Sequence, residues 1–194
     1  VIYQLKVTLD EIRPRIWRRL RVPGEITMAD LHHVIQIAMG WSGAHRHRYV
    51  VGGELIGAPG LDLARSVTRE IDVRLVEVAL ERTRFRYEYD FGDRWAHEVL
   101  VERVLPSMGG ASDAIACLDG RRACPPEDCG GPDGYEELLE ILDDPQHAEH
   151  ADRIVWVGGA FDAEAFDCAE VNERLRQRPP RLGEAVEGPP TLLH

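Results

Sequence analysis

Residues 2–9 alternate, with Tyr3, Leu5, Val7 and Leu9 on one side and Gln4, Lys6 and Thr8 on the other, the period of a half-buried strand. After a turn at Asp10-Glu11, the run from Ile12 to Val22 alternates again. Ile16, Leu20 and Val22 share a face with Arg18, while Arg13, Arg15, Trp17, Arg19 and Arg21 share the other. Pro23-Gly24 closes this arginine strand. Leu31, Val34, Ile35, Ala38 and Met39 then fall at helical spacing behind Thr27 and Asp30, a capping box with the shorter acid, and Gly40 is placed to stop the helix. His45 to Val51 reads as a strand that turns at Gly52-Gly53 into Glu54-Leu55-Ile56; residues 57–70 read as loop, and Ile71 to Leu80 fits both periods.

The clearest β signal is a hairpin. Phe85, Tyr87, Tyr89 and Phe91 alternate up to Gly92-Asp93, and Trp95, His97, Val99 and Val101 alternate away from it. Pro106 to Cys129 reads mostly as loop. A helix through Tyr135, Leu138, Leu139 and Leu142 ends near Asp144-Pro145, and Asp162 and Asp167 read as successive N-caps, the second before Val171 and Leu175. The expected fold is a single α+β domain over 1–177, in which antiparallel hairpins pack against about three helices beside a Cys-containing loop. From 178 to 194 Pro and Gly dominate without periodicity, which predicts a disordered tail.

The chain has 194 residues, of which 44% are hydrophobic, enough for one substantial core. No window approaches the roughly 18 unbroken apolar residues of a membrane span, and the first residues lack a signal-peptide layout, so a soluble cytoplasmic protein is expected. The net charge of −11 weighs against bulk affinity for nucleic acid. It is unevenly spread, however: residues 1–50 carry eight Lys and Arg against four acids, and sixteen acids face three arginines between 110 and 170. Either the two regions neutralise each other on folding, or the basic end keeps a surface for a partner.

Four cysteines occur, at 117, 124, 129 and 168. Reduced thiols are expected in the cytosol, so metal binding is the sharper alternative to inert packing. Cys117, Cys124 and Cys129, with His47 as fourth ligand, form a candidate zinc set, although the spacing lacks the tight pairs of zinc ribbons. His45 and His47 would share a strand face and so form a possible ligand pair. His97, with Trp95 and Val99, should be partly buried and need a hydrogen-bond partner from Asp90 or Asp93; His97, Asp90 and Asp93 are the candidate catalytic groups. The glycines from 130 to 134 precede a helix, but Glu127, Asp128 and Asp133 would repel an anion there unless a metal intervened. Arg13, Arg15, Trp17, Arg19 and Arg21 are the candidate binding surface, since guanidinium groups around an aromatic ring can hold phosphates and stack a base.

Several stretches together carry a family likeness: Pro14-Arg15-Ile16-Trp17-Arg18-Arg19; Leu31-His32 through Ala38-Met39-Gly40-Trp41; Tyr89-Asp90-Phe91-Gly92-Asp93 with Trp95 and His97-Glu98; Cys124-Pro125-Pro126-Glu127-Asp128-Cys129-Gly130-Gly131; Gly134-Tyr135; and Phe161-Asp162 to Asn172. Over about residues 2–175 the chain resembles the plasmid pRiA-type Orf-three-like family, found on plasmids and near insertion elements. The resemblance implies an α+β fold and a mobile-element setting, and no established activity or cofactor. Some members carry a TnpR-like resolvase label, yet Ser42, Ser66, Ser107 and Ser112 all fall in loops without a recombinase's arginine-rich context. The preferred reading is a non-enzymatic binding or accessory module acting through a protein partner or weak nucleic-acid contacts. The alternative is a zinc-dependent hydrolase-like enzyme with a Cys/His site.

Overall fold

The computed structural model describes residues 1–60, 66–110 and 114–179, so Ser112 and nearly all of the expected tail lie outside the described residues. Within them eight strands form one sheet: β1 (Ile2–Leu9), β2 (Trp17–Pro23), β3 (His47–Val51), β4 (Glu54–Gly57), β5 (Val67–Arg69), β6 (Arg84–Tyr89), β7 (Trp95–Leu105) and β8 (Ala116–Arg121). Their order is β5-β4-β3-β6-β7-β1-β2-β8, with only β4 and β5 parallel. The helices are α1 (Met28–Met39), α2 (Leu75–Val78), α3 (Gly131–Asp143), α4 (His150–Trp156) and α5 (Cys168–Gln177), and a 3-10 turn spans Glu70–Asp72. This is the single α+β fold that the alternation predicts.

Register turns the sequence alternation into two unlike faces. Leu5 pairs with Leu20 and Val101, Val7 with Arg18 and Val99, Tyr87 with Tyr49 and His97, and Tyr89 with His47 and Trp95. These side chains point to the face that α1 covers, where Leu5, Val7, Leu20, Tyr49, Tyr87 and Val99 are buried along with Met28, Leu31 and Ile35 of the helix. Each inward tyrosine on this face finds a partner for its hydroxyl: Tyr3 donates to the Ala79 carbonyl (2.7 Å) and Tyr49 to the Met28 carbonyl (3.0 Å). The other face carries Lys6, Trp17, Arg19, Arg84, Arg86, Glu88, Glu98 and Glu102, all at least partly solvent-exposed.

Arg18 is the exception on the buried face, as the alternation foretells. The residue is 2% exposed and has no carboxylate partner among the described residues; its guanidinium donates instead to the carbonyls of Ala38 (2.8 Å), Trp17 (2.9 Å), Arg121 (3.0 Å) and Arg122 (2.8 Å). Ala38 lies in the last turn of α1, whose free carbonyls and helix dipole favour a cation. One buried side chain therefore ties β2, the end of α1 and the end of β8.

The structure departs from the sequence reading in four places. The arginine strand starts at Trp17 rather than Ile12, because Pro14 lacks an amide hydrogen and the chain turns through Glu11 at φ 66; Arg13 and Arg15 thus leave the strand face that Trp17, Arg19 and Arg21 share. β5 lies in the segment expected as loop. β8, in another expected loop, has no clean apolar alternation and is held by its partners: β2 on one edge, and on the other Asn172 of α5, which accepts from the Cys117 amide (2.8 Å) and donates to the Cys117 carbonyl (2.9 Å). Asp162 opens a turn rather than a helix, accepting from the Glu164 amide at 2.9 Å, whereas Asp167 does cap α5.

Candidate functional site

The hairpin tip between β6 and β7 is where the motif stretches meet. Asp90 sits at φ 56, and its Oδ1 accepts from the amides of Gly92 (2.9 Å) and Asp93 (3.3 Å), which fixes the turn. The loop at 122–130 docks against it. Asp93 Oδ2 accepts from the Gly130 amide (3.2 Å) at the start of α3, where a carboxylate complements the helix dipole. Gly131 lies so close that a Cβ there would come within 2.5 Å of the Asp93 carbonyl oxygen, which is why this position needs glycine. Farther along the loop, Trp41 Nε1 donates to the Pro125 carbonyl (2.9 Å), and Glu127 accepts from the Tyr89 hydroxyl (2.5 Å) and the Ser42 amide (3.1 Å).

Behind the tip lies a chain of imidazoles and phenols. The Tyr87 hydroxyl accepts from Gln36 Nε2 (2.9 Å) and shares a second hydrogen bond with His32 Nδ1 (2.7 Å). The His32 ring stacks on His47 at 3.4 Å between centroids and 1° between planes, and His47 Nε2 donates to Glu70 (2.7 Å). Burial, with His47 alongside, pushes His32 down to about 3, so it is neutral. His45 stands between two carboxylates, its Nδ1 3.7 Å from Asp90 and its Nε2 3.4 Å from Asp128.

Among the expected catalytic groups, Asp90 and Asp93 sit at the tip, while His97 is sealed beneath Trp41 and Tyr87 with no exposed surface. Its Nδ1 meets the Tyr87 carbonyl at 3.3 Å rather than either aspartate, and burial lowers it to about 4. The expected metal set is not gathered. Cys124 packs its sulfur against Met39 Sδ (3.1 Å) and Arg18, Cys117 lies on β8 beside Cys168, Cys129 faces the Gly131 carbonyl, and His47 is engaged with His32 and Glu70. Burial pushes the thiols of Cys117, Cys124 and Cys129 up to about 12, 11 and 12. Among the described residues, His45, Asp90 and Asp128 are the one group of three such side chains whose donor atoms all lie within 4.8 Å of each other. The sequence marks Asp90 as a candidate catalytic group and His45 as half of a possible ligand pair with His47, whereas Asp128 stands out only as an acid beside the glycines.

On the open face, Trp17 lies between Lys6 (4.7 Å) and Arg19 (5.2 Å). Lys6, Trp17 and Arg19 stay partly exposed on this face. Its neutralisation comes from within the sheet: Arg19 Nε and Nη2 bind Glu102 at 2.7 and 3.0 Å, with Asp119 at 3.3 Å. At the far end of the same face a cleft of about 410 Å3 opens beside the hairpin tip, lined by Arg48, Arg86, Phe91, Asp93, Arg94 and Asp133 among others. No helix among the described residues is long and apolar enough to cross a membrane.

Comparison with known proteins agrees with the motifs. The sequence profile of the family described as "Plasmid pRiA4b ORF-3-like protein" matches residues 1–170. "Uncharacterized protein y4hQ" of Sinorhizobium fredii (strain NBRC 101917 / NGR234) is 37% identical over 180 residues, covering 90% of each chain. The crystal structure of "Protein of Unknown Function MM3350 from Methanosarcina mazei Go1" superposes with a TM-score of 0.80 at 38% identity, over 87% of this chain and 95% of that one. The chain therefore belongs to the plasmid pRiA4b ORF-3-like family.

Proposed function

We propose that the protein is a non-enzymatic binding module that takes a segment of a protein partner in the cleft at the hairpin tip. The observation that carries this reading is the cleft's lining. Phe91 is an aromatic side chain about one-third exposed, the Arg48 guanidinium lies 5.2 Å from its ring centre, and Arg94 makes no ion pair among the described residues. Glu11, Glu88, Asp93 and Asp133 stand around the same opening. A polyphosphate chain would meet those four carboxylates, whereas a peptide bearing an apolar anchor and both signs of charge can satisfy arginine and carboxylate together. The open sheet face supports the same preference, because its arginines are largely spent on neighbouring glutamates: Arg19 on Glu102, Arg48 on Glu88, and Arg84 on Glu98.

Selection from a random peptide library displayed on phage tests this. The full chain is expected to enrich peptides with an apolar anchor beside charged residues, and Phe91→Ala with Arg94→Glu is expected to lower their retention at least about tenfold, the size of a lost interface anchor. Enrichment no better than that of the double variant overturns the reading. Retention of single-stranded DNA at about 50 mM salt, lost on Arg19→Glu, would instead favour a nucleic-acid ligand for the arginine strand.

A further inference from the structure

Three segments far apart in sequence place one donor each at a common point: His45 from the loop after α1, Asp90 from the hairpin tip, and Asp128 from the loop after β8. Asp90 is 8% exposed, so its charge calls for compensation. Its Oδ1 is taken by two amides, but its Oδ2 meets no hydrogen-bond donor among the described residues and faces His45 Nδ1 at 3.7 Å, beyond hydrogen-bonding range. Asp128 Oδ1 comes 3.4 Å from the ring's other nitrogen, Nε2, and one nitrogen of His45 with one oxygen of each carboxylate lie within 4.8 Å of one another. Two ligand atoms each about 2.1 Å from one ion stand about 3–4 Å apart, so the 3.7 Å between Asp90 Oδ2 and His45 Nδ1 suits donors that share a cation better than donors that bond each other, and the exposed Asp128 side chain reaches the same ion by rotation.

We propose that His45, Asp90 and Asp128 hold a divalent transition-metal ion. One imidazole nitrogen with two carboxylate oxygens favours zinc or manganese over calcium or magnesium, which prefer oxygen alone. The Asp128 side chain is 72% exposed, which leaves the remaining coordination positions to water. Bound there, the ion clips the 122–130 loop to the hairpin tip and thereby sets the walls of the neighbouring cleft, to which the tip contributes Phe91 and Asp93, and the start of α3 Pro132 and Asp133. The site rests on these three side chains and stands independently of any peptide in the cleft.

Calorimetric titration of the chelator-treated, dialysed full chain with zinc chloride, and separately with manganese chloride, tests it. One saturable site per chain is expected, with Asp128→Asn weakening it at least about tenfold. The exposed position of Asp128 lets that variant fold, which its unchanged metal-free melting temperature verifies. Asp143→Asn, an exposed acid at the far end of α3 and outside both the triad and the cleft, is expected to bind as the unaltered chain does. Absence of saturable binding overturns the proposal, and so does an Asp128→Asn variant that binds as well as the unaltered chain, the result expected if zinc went to the thiols.

Discussion

His97 shows how one buried side chain makes the whole molecule sensitive to acid. In the fold its ring is sealed and held down at about 4, whereas in the unfolded chain it titrates near 6.5. Between these values the unfolded state binds a proton that the native state refuses. Stability is therefore unaffected above about 6.5, falls as the pH drops toward 4, and loses on the order of 3 kcal/mol by the end of that window. His32, pushed down to about 3, acts in the same direction. The measurement is urea unfolding at pH 7, 6, 5 and 4. His97→Asn is expected to be less stable at pH 7 but to lose about 1.4 kcal/mol less per pH unit between 6 and 4. A variant with the same slope as the unaltered chain would refute the assignment. The environment of His97 was partly legible: alternation put it on the same face as Trp95. Its partner was not, because a carbonyl on the neighbouring strand is set by register, which side-chain pattern does not encode.

At the scale of elements, the two ends of the sheet are finished differently. β5 is three residues long, a brevity that limits edge-to-edge pairing. β8 is longer, and the side chain of Asn172 closes it by imitating a neighbouring strand's amide and carbonyl at Cys117. Asn172→Ala is expected to cost about 2 kcal/mol, read as a lower urea midpoint, since it leaves a strand donor and acceptor without their partner. A concentration-dependent loss of soluble protein should accompany it. Unchanged stability would mean that water replaces the amide at no cost. The same contact explains why β8 could not be read from Ala116–Arg121: the strand exists through β2 and a helix about fifty residues later. α1 is the opposite case. Its Thr27 cap, apolar stripe and Gly40 stop are local, and each appears in the structure where the pattern puts it. The candidate site falls between these extremes. Its motif stretches were visible one by one, but the meeting of His45, Asp90 and Asp128 depends on loops whose path no periodicity describes.

Over the whole molecule, the uneven charge of the sequence survives folding. Among the described residues, Arg19 to Asp119 is the one arginine–carboxylate bridge that joins the basic first fifty residues to the acidic 110–170 segment. Among the described residues the two regions thus share few charged contacts, and the acids of α3 and the loops beside it repel one another as well as adding to the overall −11. Screening should relieve that repulsion. Raising sodium chloride from about 10 mM to about 0.5 M, which shortens the Debye length from about 30 Å to a few ångströms, is expected to raise the melting temperature by a few degrees. A fall would mean that the ion pairs of the sheet face outweigh the repulsion among the acids.

The Asn172 contact also sets an order of events during synthesis. β1 sits between β2 and β7, so the centre of the sheet waits for residues 95–105 to leave the ribosome, and β8 follows within about fifteen residues. A nascent chain that has delivered residue 165 already owns every strand described here, yet not the side chain that seals the last one. For that interval the growing molecule presents a bare strand edge to its neighbours on the same messenger. Until α5 arrives, that edge is open to pairing with another chain.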